Sequence, residues 1–189
     1  MQRSEAIEVL AGYKGDGISV TTMRAIPDWY ATGAAPEMHF DNRGCMGGAA
    51  PTALGIALAQ PDRRVMIVDG DGSLLMQLGV LATIAGAAPK NFYHIVVVNG
   101  VYETSGFQPT PAAGHLDFAQ MALGAGYKKG YTIDDIAVLR ERLPAIMNEE
   151  GPVMIALKVE QATERREVPE ARPKDQVMYL REMLAGARR

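Results

Sequence analysis

The chain has 189 residues, of which 48% are hydrophobic and 22% charged, as expected of one globular domain with a sizeable core. Its formal net charge of −3, without long blocks of like charge, argues against nucleic acid or an anionic membrane as the main partner. The single cysteine, Cys45, excludes an internal disulfide framework and a cysteine-ligated zinc or iron–sulfur site. The N-terminal residues lack the apolar core of a signal peptide, and no apolar run is long enough to span a bilayer, so we expect a cytoplasmic protein.

Helices and strands alternate along the first third of the chain. The pattern predicts a helix from Ser4 to Gly12 with Ser4 as its N-cap, and a strand from Ile18 to Thr21. The start of a second helix is predicted from Pro27 to Ala31, and a further strand from Met38 to Phe40. Residues 47 to 59, GGAAPTALGIALA, are rich in small side chains, which favours a helix that packs closely against a sheet.

Three short β-branched runs, RRVMIV, FYHIVVV and GPVMIALKV, lack polar alternation and predict parallel strands buried on both faces. Helix-length segments at residues 73 to 86 and 134 to 148 separate them. The βαβαβ order predicts an α/β fold, a doubly wound parallel sheet with helices on both faces. We assign this domain to residues 1 to 160. Residues 161 to 189 are predicted to form a charged extension with a short helix that wraps over the domain or a partner.

Two polar residues follow buried strands that are consecutive along the chain. Asp71 lies in the stretch Gly-Asp-Gly-Ser, residues 70 to 73, and Asn99 follows the next strand. If the two strands are adjacent, both side chains converge beyond the carboxyl ends of the sheet, where ligands gather in such folds. A carboxylate and an amide oxygen suit Mg²⁺ that shares its shell with phosphate, and the flanking glycines permit close approach of a phosphate. The alternative is that both stretches are simple tight turns.

Together these residues resemble the cofactor-binding domain of thiamine diphosphate enzymes. The family signature is Gly-Asp-Gly followed, after a helix and a strand, by Asn; here it is GDGS at residues 70 to 73 and VNGVYE from residue 98. A second block, RGCMGGAAPTALGIALAQPDRRVMIVDGDGS, is similar to the stretch that leads into this signature in decarboxylases and carboligases. The resemblance runs from Ile18 to Val159 and is carried mainly by these two blocks.

The resemblance implies bound thiamine diphosphate and Mg²⁺. The metal ligands would be the side chains of Asp71 and Asn99 and the main-chain carbonyl of Val101, and Gly44 and Met46 would contact the aminopyrimidine through main-chain groups. Thr21 and Thr22 would hold the diphosphate, and a shift of one residue in the alignment with the family pattern would exchange the two. The other cofactor-binding residues predicted on this basis are Thr21, Thr22, Gly70, Gly72, Ser73, Tyr102, Glu103 and Thr104, in addition to Asn99 and Val101.

Met46 is the residue to which the resemblance assigns a catalytic role. A bulky apolar side chain beneath the cofactor would enforce the bent shape in which its own amino group can take the C2 proton. Ordinary core filling is the alternative, because a flexible thioether suits irregular gaps. The neighbouring Gly44 and Gly47 favour the first interpretation.

The other polar residues have less specific signals. His94 lies within an apolar strand and is expected to be a core residue with satisfied hydrogen bonds, whereas His115 could reach a substrate. Glu103 faces either the pocket or solvent. Cys45 is expected to be buried and inert, since Arg43 is the only basic residue near it in sequence.

The runs GDGSLLMQLGVLATIAGAAPKN and NGVYETSGFQPT are most similar to β subunits of sulfopyruvate and phosphonopyruvate decarboxylases. The resemblance implies decarboxylation of a 2-oxo acid to an aldehyde, with the difficult step carried out by the cofactor. Arg43, Glu103 and Phe107 depart from the expected pattern and leave the substrate open. A sulfonate or phosphonate substrate would need cationic partners, for which Arg43 and His115 are the candidates in this chain.

Three other functions remain open. A carboligase of the acetolactate synthase type would share every cofactor residue. The β subunit of a 2-oxoacid:ferredoxin oxidoreductase also binds this cofactor, but a single cysteine leaves no cluster ligands. A non-catalytic module that holds a diphosphate compound is the third possibility, although it would not need a residue such as Met46.

In this family a Glu on a separate pyrimidine-binding domain acts on the cofactor ring. The predicted domain with its single sheet and the C-terminal extension account for all 189 residues and leave none for a pyrimidine-binding domain. We therefore expect that Glu to come from an α subunit that faces the surface around residues 44 to 50. The chain by itself would form homo-oligomers at most and bind the cofactor weakly. An active homomer would instead require an acid within this chain, such as Glu37 or Glu103.

Overall fold

The computed structural model describes residues 1–34, 38–162, 166–167 and 173–186. No helix within these ranges has the length and apolar character needed to cross a membrane. The α-helices are α1 Arg3–Ala11, α2 Ala25–Ala31, α3 Ala49–Ala59, α4 Asp71–Leu75, α5 Val80–Ala87, α6 Phe118–Ala125, α7 Ile136–Ile146 and α8 Pro173–Gly186, and a 3₁₀ turn spans Glu103–Ser105. The strands are β1 Ile18–Thr22, β2 His39–Asn42, β3 Val65–Gly70, β4 Phe92–Val98, β5 Val101–Tyr102, β6 Gln108–Pro109, β7 Lys129–Ile133 and β8 Val153–Lys158.

Across the described residues, six strands form a parallel sheet in the order β2-β1-β3-β4-β8-β7. β3 and β4 pair from Val65 with Phe92 to Gly70 with Val97, so their carboxyl ends lie side by side, as predicted. The chain runs from β1 outward to β2 and then returns to add β3 on the other side of β1. The strand order therefore reverses between β1 and β3, and such a reversal leaves a crevice at the carboxyl ends of the two strands.

Helices cover both faces of the sheet, which confirms the predicted α/β class. On one face α3, α5, α6 and α8 pack over side chains that include Ile67 and Val96. On the other face α1, α2 and α7 pack over side chains that include Met66 and Ile95. Consecutive residues of β3 and of β4 thus enter opposite cores, which explains why these strands show no polar alternation in the sequence.

Most predicted helix boundaries differ from the structure by one to two residues, and two of the predictions fail in a more informative way. Helix α1 begins at Arg3 with Gln2 in the N-cap position and has no side-chain cap, so the prediction that Ser4 caps it was wrong. The segment predicted as one helix over residues 73 to 86 is two helices, because a turn at residues 76 to 79 separates α4 from α5. Gly79 occupies the N-cap position of α5.

Helix α8 is the C-terminal helix that the sequence predicts. It packs along the edge strand β2, with Leu180 buried in the core of that face. Gln176 of α8 accepts a hydrogen bond at 3.2 Å from the main-chain N–H of Asp41 in β2. The division of the chain at residue 160 stays a prediction.

Asp41 is a buried carboxylate that connects β2, α8 and the loop after β2. Its Oδ1 accepts a hydrogen bond from His39 Nε2 at 2.8 Å, and its Oδ2 accepts from Gln176 Nε2 at 2.6 Å and Arg43 Nη2 at 2.7 Å. Burial by itself would raise the pKa of this carboxyl, but the hydrogen bonds from His39 and Arg43 outweigh burial and hold the pKa well below its usual range. Folding therefore stabilises the ionised form.

We expect Asp41→Asn to flatten the acid limb of the stability profile. Because its folded-state pKa is depressed, Asp41 contributes stability above the ordinary Asp pKa of about 3.9, and the contribution is lost as pH falls toward the folded value. Urea unfolding from neutral pH to about pH 2 measures the free energy of unfolding for both proteins. Asp62→Asn is the control, since Asp62 is exposed. Parallel profiles for wild type and Asp41→Asn would contradict a depressed pKa.

Candidate functional site

A cleft with an empty volume of about 470 Å³ lies at the carboxyl ends of β1, β3 and β4. This is where the strand order reverses, so the cleft occupies the position expected for a ligand. All residues predicted to bind the cofactor or the metal, except Thr21 and Gly44, line it, and their ligand roles stay predictions. The lining residues are Arg3, Thr22, Met23, Arg24, Ala25, Met46, Asp69, Gly70, Asp71, Gly72, Ser73, Val97, Asn99, Val101, Tyr102, Glu103 and Thr104.

Asp71 is a buried carboxylate at the start of α4, directly after β3. Its Oδ1 accepts a hydrogen bond from the N–H of Gly72 at 2.8 Å, and its Oδ2 accepts from the N–H of Gly100 at 2.7 Å. The second bond joins the end of β3 to the end of β4. Burial raises the pKa of the Asp71 carboxyl, although the N–H groups of Gly100 and Gly72 act in the opposite direction. A cation at this carboxylate would stabilise its ionised form.

Asn99 lies one residue beyond β4 and lines the same cleft as Asp71. Its Oδ1 accepts a hydrogen bond from the N–H of Val101 at 2.9 Å, which closes a tight turn. The intervening Gly100 has φ +75°, a left-handed conformation that favours glycine. The two polar residues thus line one cleft, as predicted. Of the two tight turns that were the alternative, the one at Asn99–Gly100 is present, whereas Asp71–Ser73 begins helix α4.

Gly72 and Ser73 shape the wall of the cleft around Asp71. A Cβ at Gly72 would stand 2.5 Å from the ring of Tyr102, so a glycine is needed for this close approach. Helix α4 begins at Asp71 with Gly70 in the N-cap position, so the prediction that Ser73 opens the helix was wrong by two residues. Ser73 Oγ instead accepts a hydrogen bond at 3.1 Å from the N–H of Gly47.

Met46 reaches the cleft from the loop between β2 and α3. The loop is fixed by two hydrogen bonds to the carbonyl of Cys45, one from Asn42 Nδ2 at 2.7 Å and one from the N–H of Gly48 at 3.1 Å. Gly44, in the same loop, lies outside the cleft lining in an adjoining recess. Cys45 is exposed, so the prediction that it is buried was wrong.

The two threonines at the end of β1 have different surroundings. Thr22 lines the cleft, and its Oγ1 donates a hydrogen bond to the carbonyl of Asn42 at 2.9 Å. Thr21 is fully buried, with its Oγ1 3.3 Å from His39 Nε2 and 3.4 Å from Asp41 Oδ1. Successive side chains of a strand point to opposite faces, so only one of the pair lines the cleft.

Glu103 lines the cleft and is buried, so of the two predicted alternatives it faces the pocket and not solvent. Its carboxylate is buried and lies 2.7 Å from Arg3 Nη1 and 3.8 Å from Arg24 Nε. Sequence reasoning missed both arginines as cleft residues. Arg24 follows Thr22 closely and could have been found by extending that motif, whereas nothing local signals Arg3.

One histidine differs from expectation, and the predicted role of another stays untested. His94 was predicted to have satisfied hydrogen bonds, but among the described residues its Nε2 has no partner and lies 3.7 Å from the equally unpartnered Oδ2 of Asp69. His115 is exposed and is not part of the cleft lining. Glu37, named as a possible acid, lies outside the described residues.

The donors in the cleft fit a hard cation next to phosphate. Asp71, Asn99 and the Val101 carbonyl supply oxygen atoms of the kind that Mg²⁺ prefers, and phosphate oxygens or water commonly complete its shell. Within the described ranges, no cluster of three or more His, Cys, Asp or Glu side chains is placed to hold a metal ion.

Comparison with known proteins identifies the protein family to which the chain belongs. Residues 21–157 match the family model described as "Thiamine pyrophosphate enzyme, C-terminal TPP binding domain". The chain belongs to the thiamine pyrophosphate enzyme family. The resemblance seen in the sequence is thereby confirmed, and the cleft lies within the TPP-binding domain. Helices α1 and α8 lie outside the matched residues.

Two relatives illustrate the range of this similarity. The chain is 38% identical over 123 residues to the phosphonopyruvate decarboxylase of Streptomyces viridochromogenes, which covers 65% of this chain and 30% of that protein. It is 36% identical over 138 residues to the sulfopyruvate decarboxylase subunit beta of Methanothermobacter thermautotrophicus, with 72% of each chain covered. The chain thus spans less than a third of the first relative and most of the second.

A solved structure supports the fold. The benzoylformate decarboxylase of Polynucleobacter necessarius superposes with a TM-score of 0.74 at 17% identity, over 88% of this chain and 34% of that one. At this identity the likeness concerns the fold alone.

Proposed function

We propose that this chain is the β subunit of a thiamine diphosphate-dependent 2-oxo acid decarboxylase and holds the Mg²⁺-diphosphate end of the cofactor. The observation that carries the proposal is the position of Asp71 and Asn99. They meet in the cleft where the strand order reverses, within a domain of the TPP-binding family. We also propose a cytoplasmic location.

The proposal assigns roles to the polar groups around Asp71 and Asn99. Asp71, the Asn99 side chain and the Val101 carbonyl bind Mg²⁺. Thr22, Ser73 and main-chain groups from Tyr102 to Thr104 hold the diphosphate, and Gly72 leaves room for it beside the ring of Tyr102. When bound, thiamine diphosphate supplies the carbon nucleophile and the electron sink for loss of CO₂ from a 2-oxo acid.

The substrate that we propose is a 2-oxo acid that carries a second anionic group in addition to its carboxylate. Arg24 and Arg43 both line a recess that adjoins the cleft and shares Met23, Arg24 and Thr104 with it. The Arg43 guanidinium is held by Asp41, which fixes its direction. Two guanidinium groups beside the cleft favour a sulfonate or phosphonate, and the names of the two relatives agree with such a substrate.

The partner that we propose is an α subunit that carries the pyrimidine-binding domain and its Glu. The support is the name of the relative from M. thermautotrophicus, a subunit beta that matches this chain over most of its length. Asp71 and Glu103 already bind backbone N–H groups and arginines, respectively. Neither is placed to take the role of the missing Glu.

Product analysis tests the reaction. A decarboxylase converts each 2-oxo acid into one aldehyde and one CO₂, whereas a carboligase consumes two 2-oxo acids for each CO₂ and forms a longer hydroxy-oxo acid. We expect the first stoichiometry from the assembled enzyme. A carboligation product would replace the proposed activity with that of an acetolactate synthase type of enzyme, and binding without turnover would leave a diphosphate-binding module.

Met46→Ala is expected to slow exchange of the C2 proton of bound thiamine diphosphate by about 100-fold while weakening cofactor affinity only a few-fold. The reason is that hydrogen bonds to the Cys45 carbonyl hold the loop without the Met46 side chain, so the substitution should remove only the apolar bulk that would bend the cofactor. Proton exchange in D₂O, followed by NMR, and calorimetric titration measure the two quantities. Met46→Leu, which keeps apolar bulk, is the control. Equal losses in exchange and affinity would make Met46 an ordinary packing residue.

A further inference from the structure

Arg3 is a buried arginine of α1 that connects two separate elements. Its side chain is 6% exposed. Arg3 Nε lies 2.6 Å from Asp28 Oδ2 in α2, and Arg3 Nη1 lies 2.7 Å from Glu103 Oε2 in the 3₁₀ turn. Both carboxylates are 5% exposed, so all three charged groups are removed from water. A pair of buried carboxylates is stable only with such a cationic partner.

The two elements that Arg3 connects each adjoin residues that line the cleft. Helix α2 follows directly after Thr22 and Arg24, which line the cleft. The 3₁₀ turn begins at Glu103, directly after Val101 and Tyr102, which also line it. Arg3 also lines the cleft itself. The guanidinium therefore ties these two parts of the cleft lining to each other.

Arg3 also sets the charge of the cleft. Arg24 is 3.8 Å from Glu103 Oε2, a longer distance than the 2.7 Å to Arg3. Removal of Arg3 would leave the Glu103 carboxylate without its nearest cation, in a cleft that already contains the carboxylates of Asp69 and Asp71. An anionic ligand would then meet an additional buried negative charge.

From this arrangement we infer that Arg3 is a positioning residue for thiamine diphosphate: it fixes the Val101–Thr104 wall and neutralises Glu103 beside the diphosphate. The inference rests on the proposed function. Residue 3 lies outside the matched residues 21–157, so the inference extends the site to a helix that family membership does not include. Arg3 acts through Glu103 and Asp28, and its effect is on cofactor affinity.

The test compares Arg3→Met with Arg64→Met by calorimetric titration of thiamine diphosphate in the presence of Mg²⁺. Arg64 is a matched control, because it is half-buried and donates to the carbonyls of Tyr13 and Met147 at 2.7 and 3.0 Å. It directly precedes β3, at the amino ends of the strands, whereas the cleft lies at their carboxyl ends. Arg3→Met is expected to weaken affinity about tenfold, the effect of one uncompensated charge near a bound anion at an effective dielectric constant of about 20. Arg64→Met should bind as the wild type does, whatever its loss of stability.

A second pair of variants separates charge from folding. Arg3→Met with Glu103→Gln removes both the cation and the negative charge that would be left without it, so it should recover most of the lost affinity. Arg3→Lys, which keeps the charge but lacks the planar fork, should fall between wild type and Arg3→Met. These two variants test the inference even if Arg3→Met fails to fold.

The outcomes are distinguishable. Wild-type affinity in Arg3→Met, equal weakening in Arg3→Met and Arg64→Met, or no recovery in the double variant would each overturn the inference while the proposed function stands. Failure of the wild-type protein to bind thiamine diphosphate would overturn the proposed function and the inference together.

Discussion

Asp71→Asn is expected to weaken Mg²⁺-dependent binding of thiamine diphosphate by at least about 100-fold while the fold persists. The substitution removes the carboxylate that we assign to the metal and keeps the size of the side chain. It leaves the N–H of either Gly72 or Gly100 without its acceptor, which costs about 1 to 2 kcal/mol of stability. Calorimetric titration with Mg²⁺ measures the affinity, and urea unfolding measures the stability.

Asp135→Asn is the matched control for this substitution. Asp135 also accepts two main-chain N–H groups, from Ala137 at 2.8 Å and Val138 at 3.1 Å, but it caps α7 outside the cleft lining. Wild-type affinity in Asp71→Asn would refute the metal site. Equal losses in both variants would show that the effect is one of stability alone.

The affinity of the wild-type protein should also depend on pH through Asp71. Mg²⁺ requires the ionised carboxylate, and burial raises the pKa of this group in the ligand-free protein. As pH falls, protons therefore compete with Mg²⁺ before an ordinary Asp would titrate. The pH dependence should disappear in Asp71→Asn.

Decarboxylation by the chain alone is expected to be at least about 10² to 10⁴ times slower than by the complex with its α subunit. That factor is typical of a positioned general acid, which is the role of the Glu that we assign to the partner. Co-expression with the product of a neighbouring reading frame, followed by a CO₂ assay, measures the difference. A panel of 2-oxo acids with a phosphonate group, a sulfonate group or neither tests the substrate class in the same assay. We expect the phosphonate and sulfonate compounds to have lower KM values than the unsubstituted acids.

A chain that decarboxylates a 2-oxo acid at several turnovers per second by itself would contradict the split-subunit proposal. An acid within the chain would then have to act on the cofactor. Glu103→Gln is the variant that examines this possibility, because Glu103 is a cleft carboxylate that the sequence already suggested for the role.

The buried strands and the polar pair at their ends could be predicted because each depends on a local pattern. β3 and β4 are apolar on both faces, and the sequence shows this as runs without alternation. Asp71 and Asn99 each follow directly after such a run, so adjacency of the strands was enough to bring them together. The fold class and the centre of the site follow from these two facts.

Other elements were missed although the sequence carries part of their signal. Helix α6 has an N-cap, Asp117, whose side chain accepts from Ala119 and Gln120, and ends at Gly126 with φ +110°. Both are recognisable capping residues, so the helix could have been predicted. β7 is an edge strand with two strongly exposed positions, and its run KGYTI has no apolar periodicity to distinguish it from a loop.

Contacts between distant segments explain the remaining errors. Arg3 and Glu103 are separated by 100 positions, and no local pattern joins an arginine in the first helix to a turn after β5. The incomplete hydrogen bonding of His94 likewise depends on Asp69 in the neighbouring strand. Which of Thr21 and Thr22 lines the cleft depends on the face of the sheet to which each side chain points. A shift of one residue exchanges the two faces, and the sequence does not determine the register that precisely.

The most direct test of the proposed function is a calorimetric titration of thiamine diphosphate into the wild-type protein, once with Mg²⁺ and once with EDTA, at protein concentrations high enough to detect the weak binding expected of the chain alone. Asp71, Asn99 and Val101 surround one cleft, so we predict a single site per chain whose heat of binding appears with Mg²⁺ and is absent with EDTA. Addition of Mg²⁺ in excess of EDTA should restore it. Absence of binding under both conditions, or equal binding under both, would contradict a metal-bridged diphosphate at the ends of β3 and β4.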